Sequence, residues 1–208
     1  MDIDPSTLDS KTVYGHLIRF ITPRPIAWVT TVNNRGQVNL APFSFFTGVV
    51  SNPPTLLFCG GNRSPGVPKD TVRNAIETGA FVVNLVPERL ADPMNASSAP
   101  LPYGESELTA AGLTAVPGIR VPVPRVAESP AQAECTVHQV VPIRPDPVDG
   151  RESEPTMHIV IGRIEWMHVD DDCLDGAGKM DPERLDALGR MGGLEYCRTR
   201  DRFEMGRP

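Results

Sequence analysis

Apolar and β-branched residues in this chain come in short runs, each closed off by turn-forming residues. Residues 26–32 are such a run, with prolines before it and Asn33-Asn34-Arg35-Gly36 after it. The pattern predicts a strand and a hairpin turn, with the chain returning through residues 37–41. Residues 43–50 and 55–59 are two more strand candidates, separated by the turn Ser51-Asn52-Pro53-Pro54. Residues 60–68 read as a loop. Asp70 then reads as the N-cap of a helix with Val72, Ala75 and Ile76 as its apolar stripe and Gly79 as its stop. Residues 80–86 are a further strand. Between 87 and 130, short helical pieces such as 106–111 alternate with proline-rich loops. Residues 131–143 and 156–169 carry long β patterns that are expected to pair. An acidic loop over 169–178 precedes a short helix at 181–188.

Six or seven strands with few, short helices predict a mainly β fold, an antiparallel barrel that is closed or nearly so. The 208 residues fit a single domain, 1–208, with 144–155 read as a hairpin loop because β patterns flank it on both sides. The 22 prolines and 18 glycines agree with many short elements joined by turns. A formal net charge of −6 argues against a nucleic-acid binder, yet leaves room for one basic pocket suited to a single phosphate. No apolar run approaches the roughly 18 residues that span a bilayer. The start, Met1-Asp2-Ile3-Asp4-Pro5, lacks the basic and apolar regions of a signal peptide, so the cytoplasm is the expected compartment. Cys59, Cys135, Cys173 and Cys197 are scattered, and Cys59 and Cys135 read as buried thiols within apolar runs.

Several catalytic signatures fail on inspection. Gly176-Ala177-Gly178-Lys179 has Cys173 where a phosphate-binding loop needs glycine, and Met180 where it needs Ser or Thr. No Gly-x-Gly-x-x-Gly or Gly-x-Ser-x-Gly occurs. His16, His138, His158 and His168 show no metal-ligand spacing, and Asp170-Asp171-Asp172 lacks the spacing of a calcium loop.

Two segments remain. The first runs from Thr22-Pro23-Arg24-Pro25-Ile26-Ala27-Trp28-Val29-Thr30-Thr31 into Asn39-Leu40-Ala41-Pro42-Phe43-Ser44-Phe45-Phe46. It offers a guanidinium, an indole, two hydroxyls, an amide and an apolar wall, a set that suits a planar ligand such as flavin mononucleotide (FMN). Core packing explains Trp28 and the three phenylalanines as readily, and a rigid turn explains the prolines around Arg24. The second is Lys69-Asp70-Thr71, a cation and a hydroxyl at a helix start, which suits a phosphate; an ordinary cap beside a surface lysine is the alternative.

In their order these segments, with Asn52-Pro53-Pro54, Lys69-Asp70-Thr71-Val72-Arg73-Asn74 and Thr78-Gly79-Ala80-Phe81-Val82-Val83-Asn84, resemble the flavin reductase-like family. The branch they resemble contains flavoredoxin and the reductase component of nitrilotriacetate monooxygenase. A weaker likeness continues to Arg190-Met191-Gly192-Gly193 and Tyr196. The resemblance implies an FMN-binding split β-barrel, a homodimer with FMN at or near its interface, and hydride transfer from NADH or NADPH to flavin. It assigns Trp28, Thr30 and Thr31, with Asn39, Ala41, Pro42, Phe43 and Ser44, to the ring and ribityl chain. Lys69 and Thr71 are assigned to the phosphate, with Asp70 orienting the loop, and Arg190 approaches the cofactor from its own or the partner subunit; Arg24 joins the cofactor-binding set on its own position between two prolines. No dedicated acid or base is required, because the flavin carries the chemistry. Free flavin, a partner monooxygenase or another small acceptor would take the electrons. An electron carrier without nucleotide activity, and a barrel oligomer without flavin, are the alternative outcomes.

Overall fold

The computed structural model describes residues 1–147 and 152–207. Its strands in chain order are β1 (Arg24–Pro25), β2 (Ala27–Val32), β3 (Val38–Phe43), β4 (Phe46–Ser51), β5 (Pro54–Ser64), β6 (Val67–Pro68) and β7 (Ala80–Asn84). They continue with β8 (Ala115–Val116), β9 (Arg125–Val126), β10 (Ala131–Ile143), β11 (Met157–Val169), β12 (Leu188–Arg190) and β13 (Tyr196–Arg198). The α-helices are α1 (Ser10–Phe20), α2 (Asp70–Thr78), α3 (Ala91–Ala96), α4 (Glu107–Ala110) and α5 (Pro182–Leu185).

The main sheet is antiparallel in the order β3-β2-β7-β10-β11-β5-β4, with β6 added on β5. Its two ends, β3 and β4, are consecutive in the chain and joined only by Ser44 and Phe45. The sheet therefore curls until its edges meet at this link, where the Cys59 amide donates to the Phe45 carbonyl at 2.8 Å. The interior is filled by alternate side chains. Phe58 lies at its centre, with the Phe43 and Phe81 rings 5.0 and 5.2 Å away. On the opposite face of β2 and β3, Trp28 and Leu40 pack with Leu90, Met94 and Leu108.

The β2–β3 hairpin and the β10–β11 pair form as expected, with Ile143 opposite Met157. Residues 148–151 of the expected connecting loop lie outside the described residues. Three expectations are corrected. Residues 60–68 are not a loop, because β5 continues to Ser64 with Gly60 and Gly61 paired to His158 and Met157. A Cβ on Gly60 would stand 2.3 Å from Val72 Cγ2, so glycine here lets the strand pass beneath α2. The N-cap of α2 is Lys69 rather than Asp70, and Ile76 faces outward. Hydrogen bonds to Asn39 and Thr31 draw Thr71 and Asn74 into the barrel end, and Ile76 lies about 200° around the helix from Asn74. The predicted helix at 181–188 ends at Leu185, where Asp186 turns left-handed (φ 47°) and Leu188 starts β12.

Gly79 stops α2 as predicted, in the left-handed conformation. All four cysteines are free; Cys135 is buried and Cys59 half-buried. Helix α1 had no expectation attached. Asp9 caps it by accepting from the Lys11 and Thr12 amides, yet none of its residues is buried. Among the described residues no helix is long and apolar enough to cross a membrane.

Glu134 on β10 is fully buried and ties the 117–124 loop to the sheet. It accepts from the Ile119 and Arg120 amides at 2.8 and 2.6 Å, from Val121 at 3.1 Å and from His168 Nε2 at 2.8 Å. Burial alone would raise its pKa, but these donors outweigh it and hold the carboxyl below its ordinary value. The stability it contributes is therefore complete above the ordinary carboxylate pKa and is lost as pH falls through the lowered one. Glu134→Gln is expected to cost about 2–3 kcal/mol at neutral pH, read by urea unfolding, with the deficit shrinking in acid. A pH-independent deficit would refute the charged role.

Candidate functional site

Two cavities lie along β3, and Ser98 lines both. The smaller, about 120 Å³, is bounded by Asn39 and Ala41 of β3, by Arg63, by Lys69, Asp70 and Thr71, and by the 97–101 segment. The larger, about 830 Å³, is bounded by Pro42, Phe43 and Ser44 as the chain leaves β3, and by Tyr14, Arg190 and Tyr196 from elements remote in sequence.

The smaller cavity gathers groups that can hold an anion, with the Glu107 carboxyl also on its lining. Lys69 caps α2 with its backbone only, so no side chain occupies the first-turn amides of this nine-residue helix. Those amides carry the positive end of the helix dipole. Lys69 Nζ lies 5.9 Å from the centroid of the Phe43 ring, linking this cavity to the wall of the larger one. Asn39 Nδ2 donates to Thr71 Oγ1 at 2.8 Å, which orients the hydroxyl and leaves its proton to be donated. Arg63 Nη1 bonds Asp70 Oδ2 at 3.0 Å, and its Nη2 donates to the Leu101 carbonyl. Asp70 therefore orients Arg63. Glu107 accepts from the Leu40 amide at 3.0 Å, and burial raises its pKa.

The structure thus brings Asn39, Ala41, Lys69, Asp70 and Thr71 to one cavity and Pro42, Phe43, Ser44 and Arg190 to the other. Four expected residues stand elsewhere. Trp28, Thr30 and Thr31 are fully buried, and their polar atoms are engaged inside the protein. Trp28 Nε1 donates to Ser97 Oγ at 2.8 Å, Thr30 Oγ1 donates to the Pro124 carbonyl at 2.6 Å, and Thr31 Oγ1 accepts from Asn74 at 3.2 Å. Alternation along β2 sends Trp28 and Thr30 to one face and Thr31 to the other, and packing from Ser97, Pro124 and Asn74 keeps all three off the cavity linings.

Arg24 is 4% exposed, and its guanidinium donates to the carbonyls of Ile18 (2.6 Å), Ile21 (2.5 Å) and Met191 (2.9 Å). Its Nε reaches Ser44 Oγ at 3.4 Å. Those bonds make it a brace between the end of α1, Met191 just after β12, and Ser44. Arg63 and Tyr14 were missed, because reading 60–68 as a loop hid the strand that aims Arg63, and α1 was not assigned.

Residues 19–201 match the model of the flavin reductase like domain. An uncharacterized protein of Halalkalibacterium halodurans is 42% identical over 208 residues, covering all of this chain and 97% of its own. Nitrilotriacetate monooxygenase component B from Bacillus cereus superposes with a TM-score of 0.91 at 34% identity, covering 99% of this chain and 98% of that one. The 2-nitrobenzoate 2-nitroreductase of Pseudomonas fluorescens superposes with a TM-score of 0.85 at 30% identity, covering 100% and 96%.

Proposed function

The chain belongs to the flavin reductase-like family, and on that premise we propose that it is an FMN-binding oxidoreductase that takes hydride from NADH or NADPH. The observation that carries this reading is the placement of an anion-binding cavity and a larger, partly apolar one along the same strand. A phosphate tethered to a planar ring requires that pairing. The volume of the larger cavity, about 830 Å³, exceeds what one tricyclic ring needs and leaves room for a second planar molecule.

In this reading Lys69, Thr71 and the α2 amides hold the phosphate. Asn39 and Ala41 follow the ribityl chain, and Pro42, Phe43 and Ser44 border the ring. When bound, FMN supplies a hydride acceptor and a store of two electrons. The chain's own task is to position the ring against its co-substrate, and Arg24 contributes by fixing Ser44. The Bacillus cereus neighbour is named as a monooxygenase component, which supports delivery of reduced flavin to an oxygenase. The Pseudomonas neighbour, named a nitroreductase, supports direct transfer to a small acceptor.

We also propose a homodimer. Helix α1 presents Tyr14, Leu17 and Phe20 to solvent, and Leu194 beside the larger cavity is almost fully exposed. A second copy seated there would cover this face and wall the cavity. The proposed compartment is the cytoplasm.

The test is an anaerobic titration of the FMN-loaded protein with each nucleotide. Bleaching of the flavin absorption by one of them, at a rate fast enough to support turnover, is the expected result. A folded, FMN-loaded protein that neither nucleotide bleaches would be an electron carrier instead.

A further inference from the structure

We propose that the larger cavity holds a recognition site for an anionic group on the co-substrate, with Arg190 as its ligand. This rests on the FMN reading above, which assigns the phosphate to the smaller cavity. The first support is the pairing of β1 with β12, which sets Arg24 directly opposite Arg190. Like charges facing each other across a ladder repel. Among the described residues, neither guanidinium forms an ion pair with a carboxylate. Arg24 is buried behind the lining among neutral acceptors, and Arg190, which lines the cavity, is the charge of this pair that a ligand can reach.

Arg190 is the member of this pair with donors to spare. Its guanidinium lies over the Tyr196 ring at 4.3 Å, and Nη2 donates to the Gly193 carbonyl. A guanidinium carries five N–H donors in a planar fork that matches a carboxylate or phosphate. Stacking on Tyr196 holds that plane in place at the cavity. The lining also carries Glu88, Asp92 and Arg198. Glu88 is engaged by Arg198 and Arg200. Asp92 on α3 forms no ion pair among the described residues and favours a cation at its own position.

The anion has two possible sources with the same chemistry: a carboxylate on an aromatic acceptor, or the phosphates of the nicotinamide nucleotide. The experiment separates them. FMN affinity is measured first, by fluorescence titration. Sodium benzoate, NAD⁺ and NADP⁺ are then titrated by calorimetry into the FMN-loaded protein, with the flavin absorption followed in parallel. Losing a charge-assisted fork predicts that Arg190→Gln raises the dissociation constant of one of these probes by about ten- to a hundredfold. FMN affinity should change by less than about threefold, a shift well under 1 kcal/mol.

A benzoate-selective loss assigns an aromatic carboxylate, and a nucleotide-selective loss assigns the donor. Arg190→Lys should recover part of the loss, since the charge remains and the fork does not. Asp92→Asn should leave the affinity unchanged or tighten it. The proposal fails if no probe binds the wild type, or if Arg190→Gln leaves every probe unchanged. A tenfold loss of FMN affinity would also overturn it, returning Arg190 to the cofactor. If the protein does not bind FMN, the flavin reading fails at the first step; the same titrations on the FMN-free protein then decide the anion site by the same comparison.

Discussion

Lys69→Ala is expected to weaken FMN binding by about ten- to a hundredfold, the loss that removing one charge-assisted contact to the proposed phosphate would cause. The effect should fall on binding alone. The Lys69 side chain forms no capping hydrogen bond, and its Nζ lies 5.9 Å from the centroid of the Phe43 ring. Removing it therefore leaves α2 and its buried face of Thr71, Val72, Asn74 and Ala75 intact. Fluorescence titration of FMN reads the affinity, and a urea unfolding curve of the FMN-free protein checks that stability moves by less than about 0.5 kcal/mol. Lys69→Arg should recover most of the affinity, because a cation at that position is what the site requires. Wild-type affinity in the alanine variant would move the phosphate out of the smaller cavity.

Trp28 gives the opposite split. Trp28→Ala is expected to cost about 3–5 kcal/mol, the range for emptying a large aromatic from a core. It also leaves Ser97 without the indole donor that reaches it at 2.8 Å. Against a typical total of about 5–15 kcal/mol, that loss brings the protein close to unfolding. Trp28→Phe is the informative variant. It keeps most of the volume, removes the hydrogen bond and should cost about 1–2 kcal/mol. Chemical denaturation measures the loss. FMN affinity in Trp28→Phe should stay near wild type, because the indole is fully buried behind β3. A large drop in FMN affinity without a matching drop in stability would put the indole on the ligand after all.

The contrast between these residues marks where a one-dimensional reading reaches its end. The hairpin was legible because Asn33-Asn34-Arg35-Gly36 closes two β-rich runs, and Gly36 does adopt positive φ. The residues of β3 that line the cavities were legible as well, since the strand runs past both. Trp28, Thr30 and Thr31 could not be sorted from them by pattern. An indole or hydroxyl in a strand looks the same whether it faces a ligand or a neighbouring carbonyl, and the face is fixed by β7, α2 and the 97–126 region packing from far along the chain.

Arg24 shows the same limit more sharply. Its isolation between prolines pointed to a positioned guanidinium, which is correct. What it is positioned against, the carbonyls of Ile18, Ile21 and Met191, depends on a helix and a strand that no local pattern connects. Arg63 was lost for a different reason. Glycines at 60 and 61 signal a loop locally, but here Gly60 provides the clearance a strand needs beneath α2.

Helix α1 is fastened to the barrel in an uncommon way. With none of its residues buried, little hydrophobic burial holds it. The attachment comes from the two carbonyls taken by Arg24, from an edge-on contact of Tyr14 with Phe45 at 6.5 Å, and from Gly192, which leaves no room for a side chain beside Arg19. In the isolated subunit such a segment opens locally at far lower free energy than the barrel unfolds. Tyr14 lines the larger cavity, so this wall is only as firmly placed as the helix that carries it. On the proposed reading, one wall of the co-substrate's cavity would thus stand on eleven helical residues held by few contacts, and the cofactor's contacts on a strand paired into the main sheet.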